Sequence, residues 1–370
     1  MAVVGAGVVG SATALTLARR GVSVVVLEAE TEPGLAASGT NSGILHTGFD
    51  SVPGELETEL ILRSAALRDP VLRALRVPVL RCGARVRPRD PSRDVVGALA
   101  ANAQRNGVEV VFRKDGALKV PGEAVTDPVA YTLALARAAV RHGAELWTGF
   151  RVAAIRRAQG DFVLESTAGE SVRSRLVVNC AGLHADTVAR LAGDHSFEIY
   201  PRKGEFLVFD PPRGEKLERI LLPEPTERTK GVLVFPTVDG KVIAGPTAVD
   251  QDDKGDWSVR PTAFEDIHPQ AAKMWPPLES SVPIAAYAGL RPAGRGVNYL
   301  IAPSRGCPEL VNVAAIRSTG LTASLGIAEH VSALVGRLGV ALRTERPLEP
   351  GAPPASRVPW WLRAARYRAG

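Results

Sequence analysis

Gly5-Ala6-Gly7-Val8-Val9-Gly10 is the segment of this 370-residue chain whose spacing most directly constrains chemistry. It follows the apolar run Ala2–Val4 and opens a stretch with apolar residues at helical spacing; Glu28 ends the next apolar run, 18 residues beyond the third glycine. In that setting Gly5 permits a tight turn, Gly7 lets backbone amides approach a pyrophosphate, and Gly10 lets helix and strand pack closely. The helix N-terminus adds favourable dipole charge, and Glu28 is placed to accept hydrogen bonds from ribose hydroxyls. The chemistry indicated is the holding of a dinucleotide, although the turn alone does not choose between a nicotinamide and a flavin. A glycine turn that serves only packing is the competing reading. Among the histidines, His46 sits in a glycine-rich loop where a side chain can approach a bound ring, although a histidine in an arbitrary loop is more often a hydrogen-bonding surface residue. His142, His184, His195, His268 and His330 lie in helical or ordinary loop contexts. Cys82, Cys180 and Cys307 are far apart, so neither a disulfide framework nor a metal site is expected.

A scaffold must place these groups. The spacing predicts a strand at Ala2 to Val4, a helix from Val8 to Arg20 and a strand from Ser23 to Leu27, a βαβ start that implies a parallel sheet. Gly34 to Thr47, rich in Gly, Ala, Ser and Thr, reads as irregular loop. Helical spacing resumes from Pro53 to Leu75. Short strand-like runs between Val79 and Pro121 flank one helical stretch, Val95 to Gln104. Asp127-Pro128 supplies a cap and a first-turn proline for a helix through His142. From Phe150 to Val178 three alternating runs end in the strand Leu176–Asn179. Tyr200 to Asp210, Val232 to Val238 and Val242 to Ala244 suggest a mostly antiparallel sheet. A helix over Thr262 to Met274, strands at Ile284 to Leu290, Tyr299 to Ala302 and Leu310 to Val313, and a helix from Leu321 to Leu338 complete the pattern. The fold class expected is α/β: a Rossmann-like dinucleotide-binding domain with a discontinuous second domain on a mostly antiparallel sheet. Residues 1–78, 144–196 and 297–346 are assigned to the first, 79–143 and 197–296 to the second or cap domain, and 347–370 to a tail.

Length and composition agree with two folded domains: 45% of residues are hydrophobic and 23% charged. The net charge of +6 is carried mostly by arginine and has no aromatic-interleaved basic stripe, so nucleic acid is not an expected partner. No run approaches the roughly 18 apolar residues of a membrane span. Neither a basic leader nor a cleavage site precedes Gly5, and a reducing, cytoplasmic setting is expected.

The loop after Glu28 narrows the cofactor. Ala37-Ser38-Gly39-Thr40-Asn41-Ser42-Gly43-Ile44-Leu45-His46-Thr47-Gly48 resembles the stretch that runs under the flavin in FAD-dependent glycerol-3-phosphate dehydrogenases and oxidases and in L-2-hydroxyglutarate dehydrogenases, of the D-amino-acid-oxidase-like superfamily. The resemblance continues, in the same order, in Val178-Asn179-Cys180-Ala181-Gly182, in Arg202-Lys203-Gly204-Glu205-Phe206, in Pro236-Thr237 with Gly245-Pro246-Thr247-Ala248, in Tyr287-Ala288-Gly289-Leu290-Arg291-Pro292, and in Arg317-Ser318-Thr319-Gly320-Leu321-Thr322. The Arg-Lys-Gly-Glu and Gly-Pro-Thr-Ala segments are more similar to the glycerol-3-phosphate oxidases.

This resemblance implies non-covalent FAD contacted by Gly5, Gly7, Gly10, Glu28, Ser38, Thr40, Asn41, Ser42, Val152, Ala181, Gly182, Gly320, Leu321 and Thr322. The turn at Gly320 would aim amides at the pyrimidine edge of the reduced flavin. It implies His46 as the base that takes a hydroxyl proton as hydride leaves carbon, Arg291 and Lys230 as holders of a small anionic substrate, and Ser318 as a polar position near the flavin. No metal is implied. The activity expected is oxidation of sn-glycerol 3-phosphate to dihydroxyacetone phosphate, with quinone or oxygen as acceptor. L-2-hydroxyglutarate or another 2-hydroxy acid, an amino acid or secondary amine, and a flavin-binding paralogue without catalysis are the alternatives.

Two departures from relatives stand out. The first strand is two or three residues shorter, and the acidic Leu-Glu-Pro-like segment expected between Val111 and Gly116 is missing. Pro347 to Ser356 reads as a linker. The tail beyond it, Pro359 to Gly370, carries two tryptophans beside spaced arginines and leaves two readings open. One is peripheral contact with the inner face of a membrane, suited to quinone reduction; the other is a docked C-terminus.

Overall fold

The computed structural model describes residues 1–88, 95–224, 231–352 and 358–367. Lys230 and residues 353–356 of the expected linker lie outside the described residues.

A six-stranded sheet carries the glycine turn. Ala2–Val4 pairs in parallel with Val25–Leu27 on one side and Val177–Asn179 on the other. Parallel pairing continues outward to Glu145–Trp147 and Leu310–Ala314, and Leu300–Pro303 adds an antiparallel edge. The three central strands are short apolar runs, as strands covered on both faces must be. Three residues suffice for Ala2–Val4 because it is paired along both sides. The sheet thus collects strands from the beginning, middle and end of the chain.

Helix Pro128–Arg141, assigned by sequence to the cap, packs instead against helix Val8–Arg19, with Tyr131, Leu135 and Ala138 in the core shared with the six-stranded sheet. The reason is topological. A parallel strand needs a crossover to return the chain to the same end of the sheet, and this helix delivers Glu145–Trp147 beside Val25–Leu27. The Asp127 carboxylate caps it by accepting the Ala130 N–H at 2.8 Å.

A nine-stranded, mostly antiparallel sheet forms the other large layer. Its spine is Ile199–Phe209, paired with Ala285–Gly294 in a register that sets Arg202 opposite Arg291 and Gly204 opposite Gly289. Its one parallel pair joins Ala84–Arg87 to Ile220–Pro223. A small sheet, Ile44–Leu45, Ala124–Thr126 and Val79–Leu80, ties the glycine-rich loop to distant segments.

The tail is docked. Trp360 and Trp361 are 1% and 7% exposed within helix Trp360–Arg366, so the two tryptophans that motivated the membrane reading are packed inside the protein. Among the described residues no helix is long and apolar enough to cross a membrane.

The Arg-Lys-Gly-Glu segment is largely an internal brace. Lys203 is buried and its Nζ donates to Asp256 at 2.7 Å. Glu205 is fully buried and accepts the Arg260 backbone N–H at 2.6 Å, its guanidinium at 2.7 Å and the Thr247 hydroxyl at 2.8 Å. Burial pushes the Glu205 carboxyl upward, but the Arg260 and Thr247 bonds outweigh it and hold the group below the usual carboxylate range. Removing Arg260 leaves a buried carboxylate short of its cation. Arg260→Ala should therefore lower unfolding free energy at neutral pH by about 2 kcal/mol, under the full buried-pair cost because Arg260 is a third exposed. Since the folded pKa is depressed, this stabilisation is present above the ordinary carboxylate range and lost as pH falls through it. Urea titrations of the two proteins should converge in acid; a gap that stays constant down to acid pH contradicts the assignment.

Candidate active site

A cavity of ≈ 770 Å³ lies between the two large sheets, lined at one end by Gly5, Gly7 and Glu28 and at the other by His46, Arg291 and Ser318. The glycine turn is sterically obligatory. Gly5 has φ +98, and a Cβ there would lie 2.6 Å from the Cys180 carbonyl oxygen; a Cβ on Gly10 would lie 1.9 Å from the Gly5 oxygen. Gly10 therefore acts through packing and does not face the cavity. Helix Val8–Arg19 starts with Gly7 as N-cap, which has no side chain to offer; the Val8 N–H donates to Ser38 Oγ at 3.0 Å, and Gly7, Val8 and Val9 line the cavity.

Glu28 is clamped in place, accepting the Ala6 N–H at 2.6 Å and the Glu30 N–H at 2.9 Å. Burial raises its pKa while these amides oppose the rise. Thr40, Asn41, Ser42, Val152, Ala181 and Gly182 also line the cavity.

A second helix, Gly320–Arg337, begins at the same cavity. Its N-cap, Thr319, makes no capping bond; the hydroxyl donates instead to Glu57 at 2.6 Å and lies 2.7 Å from the Tyr299 hydroxyl. Gly320 and Leu321 line the cavity. Thr322 does not: it is buried, and its hydroxyl accepts the His46 N–H at 3.1 Å and donates to the Ile44 carbonyl at 3.3 Å. Its side chain supports the histidine loop and is not a cofactor contact.

His46 lines the cavity, and its Nδ1 lies 3.0 Å from Oε2 of the fully buried Glu123. The other Glu123 oxygen accepts the Thr47 N–H at 2.6 Å and hydroxyl at 2.9 Å, and Arg68 donates to the His46 carbonyl at 2.7 Å. A carboxylate at Nδ1 selects the tautomer protonated there, which leaves the Nε2 lone pair as proton acceptor. Glu123 was not singled out from sequence. It lies 77 positions from His46 and is brought in by the pairing of Ile44–Leu45 with Ala124–Val125; the one local signal was a lone acid between two apolar runs.

Arg291 is held flat by its donations to the carbonyls of Arg202 at 3.1 Å, Lys203 at 3.1 Å and Thr247 at 2.7 Å. Gly204 makes room, since a Cβ there would come within 2.9 Å of the Arg291 guanidinium. Burial, then the nearby Arg202 and Arg317, push the Arg291 pKa down to about 10, and it stays cationic at neutral pH. Arg202, Arg317 and Ser318 share the cavity wall, and Arg202 also pairs with Asp250 at 3.2 Å. Lys230 lies outside the described residues; the adjacent Gly231 lines the cavity.

These residues suit FAD. A glycine cradle and two helix N-termini without side-chain caps meet anionic or electron-rich groups at two points of one cavity, whose volume is that of a cofactor site. Fold and site together define a flavin-dependent oxidoreductase. The chain belongs to the FAD dependent oxidoreductase (DAO) family, whose model matches residues 1–334, and FAD is its cofactor. It is 30% identical over 348 residues to the glycerol 3-phosphate dehydrogenase of Caloramator mitchellensis, covering 90% of this chain and 72% of that protein. It is 29% identical over 280 residues to the human mitochondrial L-2-hydroxyglutarate dehydrogenase, covering 67% of this chain and 60% of that protein. Among solved structures, the fold matches dithionite-reduced L-alpha-glycerophosphate oxidase from Mycoplasma pneumoniae with FAD bound, at a TM-score of 0.87 and 24% identity, over 95% of this chain and 97% of that one.

If Glu123 orients His46, Glu123→Gln should slow anaerobic flavin reduction by about 10 to 100-fold while leaving bound FAD per chain unchanged. Stopped-flow absorbance at the flavin band checks it, and an unaltered reduction rate would remove Glu123 from the site.

Proposed function

We propose that the protein oxidises sn-glycerol 3-phosphate to dihydroxyacetone phosphate, passing the electrons on to quinone or oxygen. The observation that carries this reading is the wall of Arg291, Arg202 and Arg317 on the cavity that also holds His46. Planar guanidinium groups suit a phosphate dianion, which can accept from several of them at once. The relative named as a glycerol 3-phosphate dehydrogenase supports the choice of substrate.

In this reading Arg291 binds the phosphate from a fixed position, since its remaining donors are tied to backbone carbonyls. Lys230, by resemblance, adds a second cation, and Ser318 a polar contact. His46 Nε2 accepts the proton of the substrate hydroxyl while Glu123 keeps Nδ1 occupied. Bound FAD supplies the two-electron acceptor for the hydride. Closing arginines and apolar residues around the substrate carbon excludes water, which strengthens each of these electrostatic contacts.

L-2-hydroxyglutarate is the second reading, favoured by the 29% identical relative of that name. Its carboxylates can use the same arginines. Anaerobic titration with glycerol 3-phosphate, L-2-hydroxyglutarate and glycine should bleach the flavin with the first alone at submillimolar concentration. Bleaching by the hydroxy acid with none by glycerol 3-phosphate reverses the choice. Arg291→Lys should lower kcat/KM for glycerol 3-phosphate by about 10²-fold with an unchanged flavin spectrum, because an ammonium loses the planar fork; a change under threefold would exclude Arg291 as the phosphate anchor.

A further inference from the structure

The last described segment joins the two large layers and reaches the cofactor cavity. Trp360 meets the Tyr287 ring edge-on at 5.7 Å, and Trp361 Nε1 donates to Asp239 at 2.9 Å, so the helix is fixed to the nine-stranded layer. From its other side Arg363 pairs with Glu32, in the loop that follows Glu28.

The chain then delivers Tyr367 into an apolar group with Ala36, Leu183, Trp257 and Leu290. The Tyr367 and Trp257 rings meet edge to face at 5.0 Å, and both line the cavity. Ala36 belongs to the loop that carries Ser38, Leu183 follows Gly182, and Leu290 precedes Arg291. The aromatic pair therefore borders the stretch of cavity between the nucleotide turn and the arginine wall.

We propose that residues 360–367 form a C-terminal clasp that retains FAD, with Tyr367 and Trp257 as its inner face. Two latches hold the clasp, one on each layer: Trp361 to Asp239 and Arg363 to Glu32. Edge-to-face rings and the apolar surface around them keep water from this part of the cavity, so cofactor release requires the Tyr367–Trp257 contact to part. The identity of the substrate does not enter, and failure of the glycerol 3-phosphate reading leaves this proposal standing.

The test follows cofactor retention and needs no turnover. Holoprotein is diluted and free-flavin fluorescence recorded over time, alongside fluorescence titration of deflavinated protein with FAD. Tyr367→Ala should speed FAD release and raise its Kd by about tenfold, with the melting temperature of the deflavinated protein unchanged. Tyr367→Phe should retain FAD as the parent does, because the ring makes the contact. Truncation after Pro359 should release FAD faster still. Should the truncated chain fail to fold, Tyr367→Ala decides alone. Parent-like release and Kd in Tyr367→Ala overturn the clasp.

Discussion

Helices Val8–Arg19 and Gly320–Arg337 both begin at one cavity, and neither N-cap residue makes a side-chain capping bond. An α-helix leaves its first N–H groups unpaired, and setting two such ends beside each other concentrates partial positive charge at the cavity, met on the protein side by the Ser38 hydroxyl at Val8 and by Glu57 beside Thr319. The rest of the architecture follows from keeping those two ends in register. They pack along each other, a Cβ on Gly320 would lie 3.7 Å from Val9, and the strands that precede them are two rungs apart in the same parallel sheet. The arrangement is stable with an electron-rich, anionic cofactor in place, which is what FAD brings.

Close approach is the second consequence. Among the glycines where a Cβ would meet another group inside 3 Å are Gly5 and Gly10 in the nucleotide turn, Gly204 under Arg291, Gly245 against Glu205 and Gly289 against Thr40. Gly289 lets strand Ala285–Gly294 come onto the loop that carries His46. The Arg-Lys-Gly-Glu segment can then be read position by position. Arg202 faces the cavity, Lys203 and Glu205 are internal ion pairs, and Gly204 is the space in which an arginine lies flat. One motif thus mixes residues of the wall with residues that hold the wall.

Local signals carried the sequence reading wherever the determinant was local. The glycine spacing with Glu28, the Asp127-Pro128 start and the alternation from Phe150 to Val178 each reflect contacts made within a few residues, and the corresponding elements form. Glu123 was invisible because its partner is set by a two-residue strand pairing that no periodicity announces. Helix Pro128–Arg141 was recognisable as a helix but not by its layer, since both large layers need apolar helix faces and only the crossover to Glu145–Trp147 decides. The tail was ambiguous for a different reason. Tryptophan beside arginine suits a headgroup boundary and a protein groove alike, and Tyr287 and Asp239, which settle the matter, are distant in sequence.

Charge gives the site its direction. Glu28 and Glu123 are already engaged, the first by amides and the second by Thr47 and His46, whereas Arg291, Arg202 and Arg317 crowd one wall. Burial first, then the neighbouring Arg202 and Arg317, lower the Arg291 pKa by disfavouring a charge that its carbonyl contacts nevertheless fix in place. In the proposed reading an anion bound among the three relieves the repulsion and replaces the lost solvation together, so the crowding of this wall favours the substrate's oxyanion. The hydroxyl beside such an anion is, in that reading, presented to His46, and selectivity among hydroxylated anions passes to the shape of the wall around them.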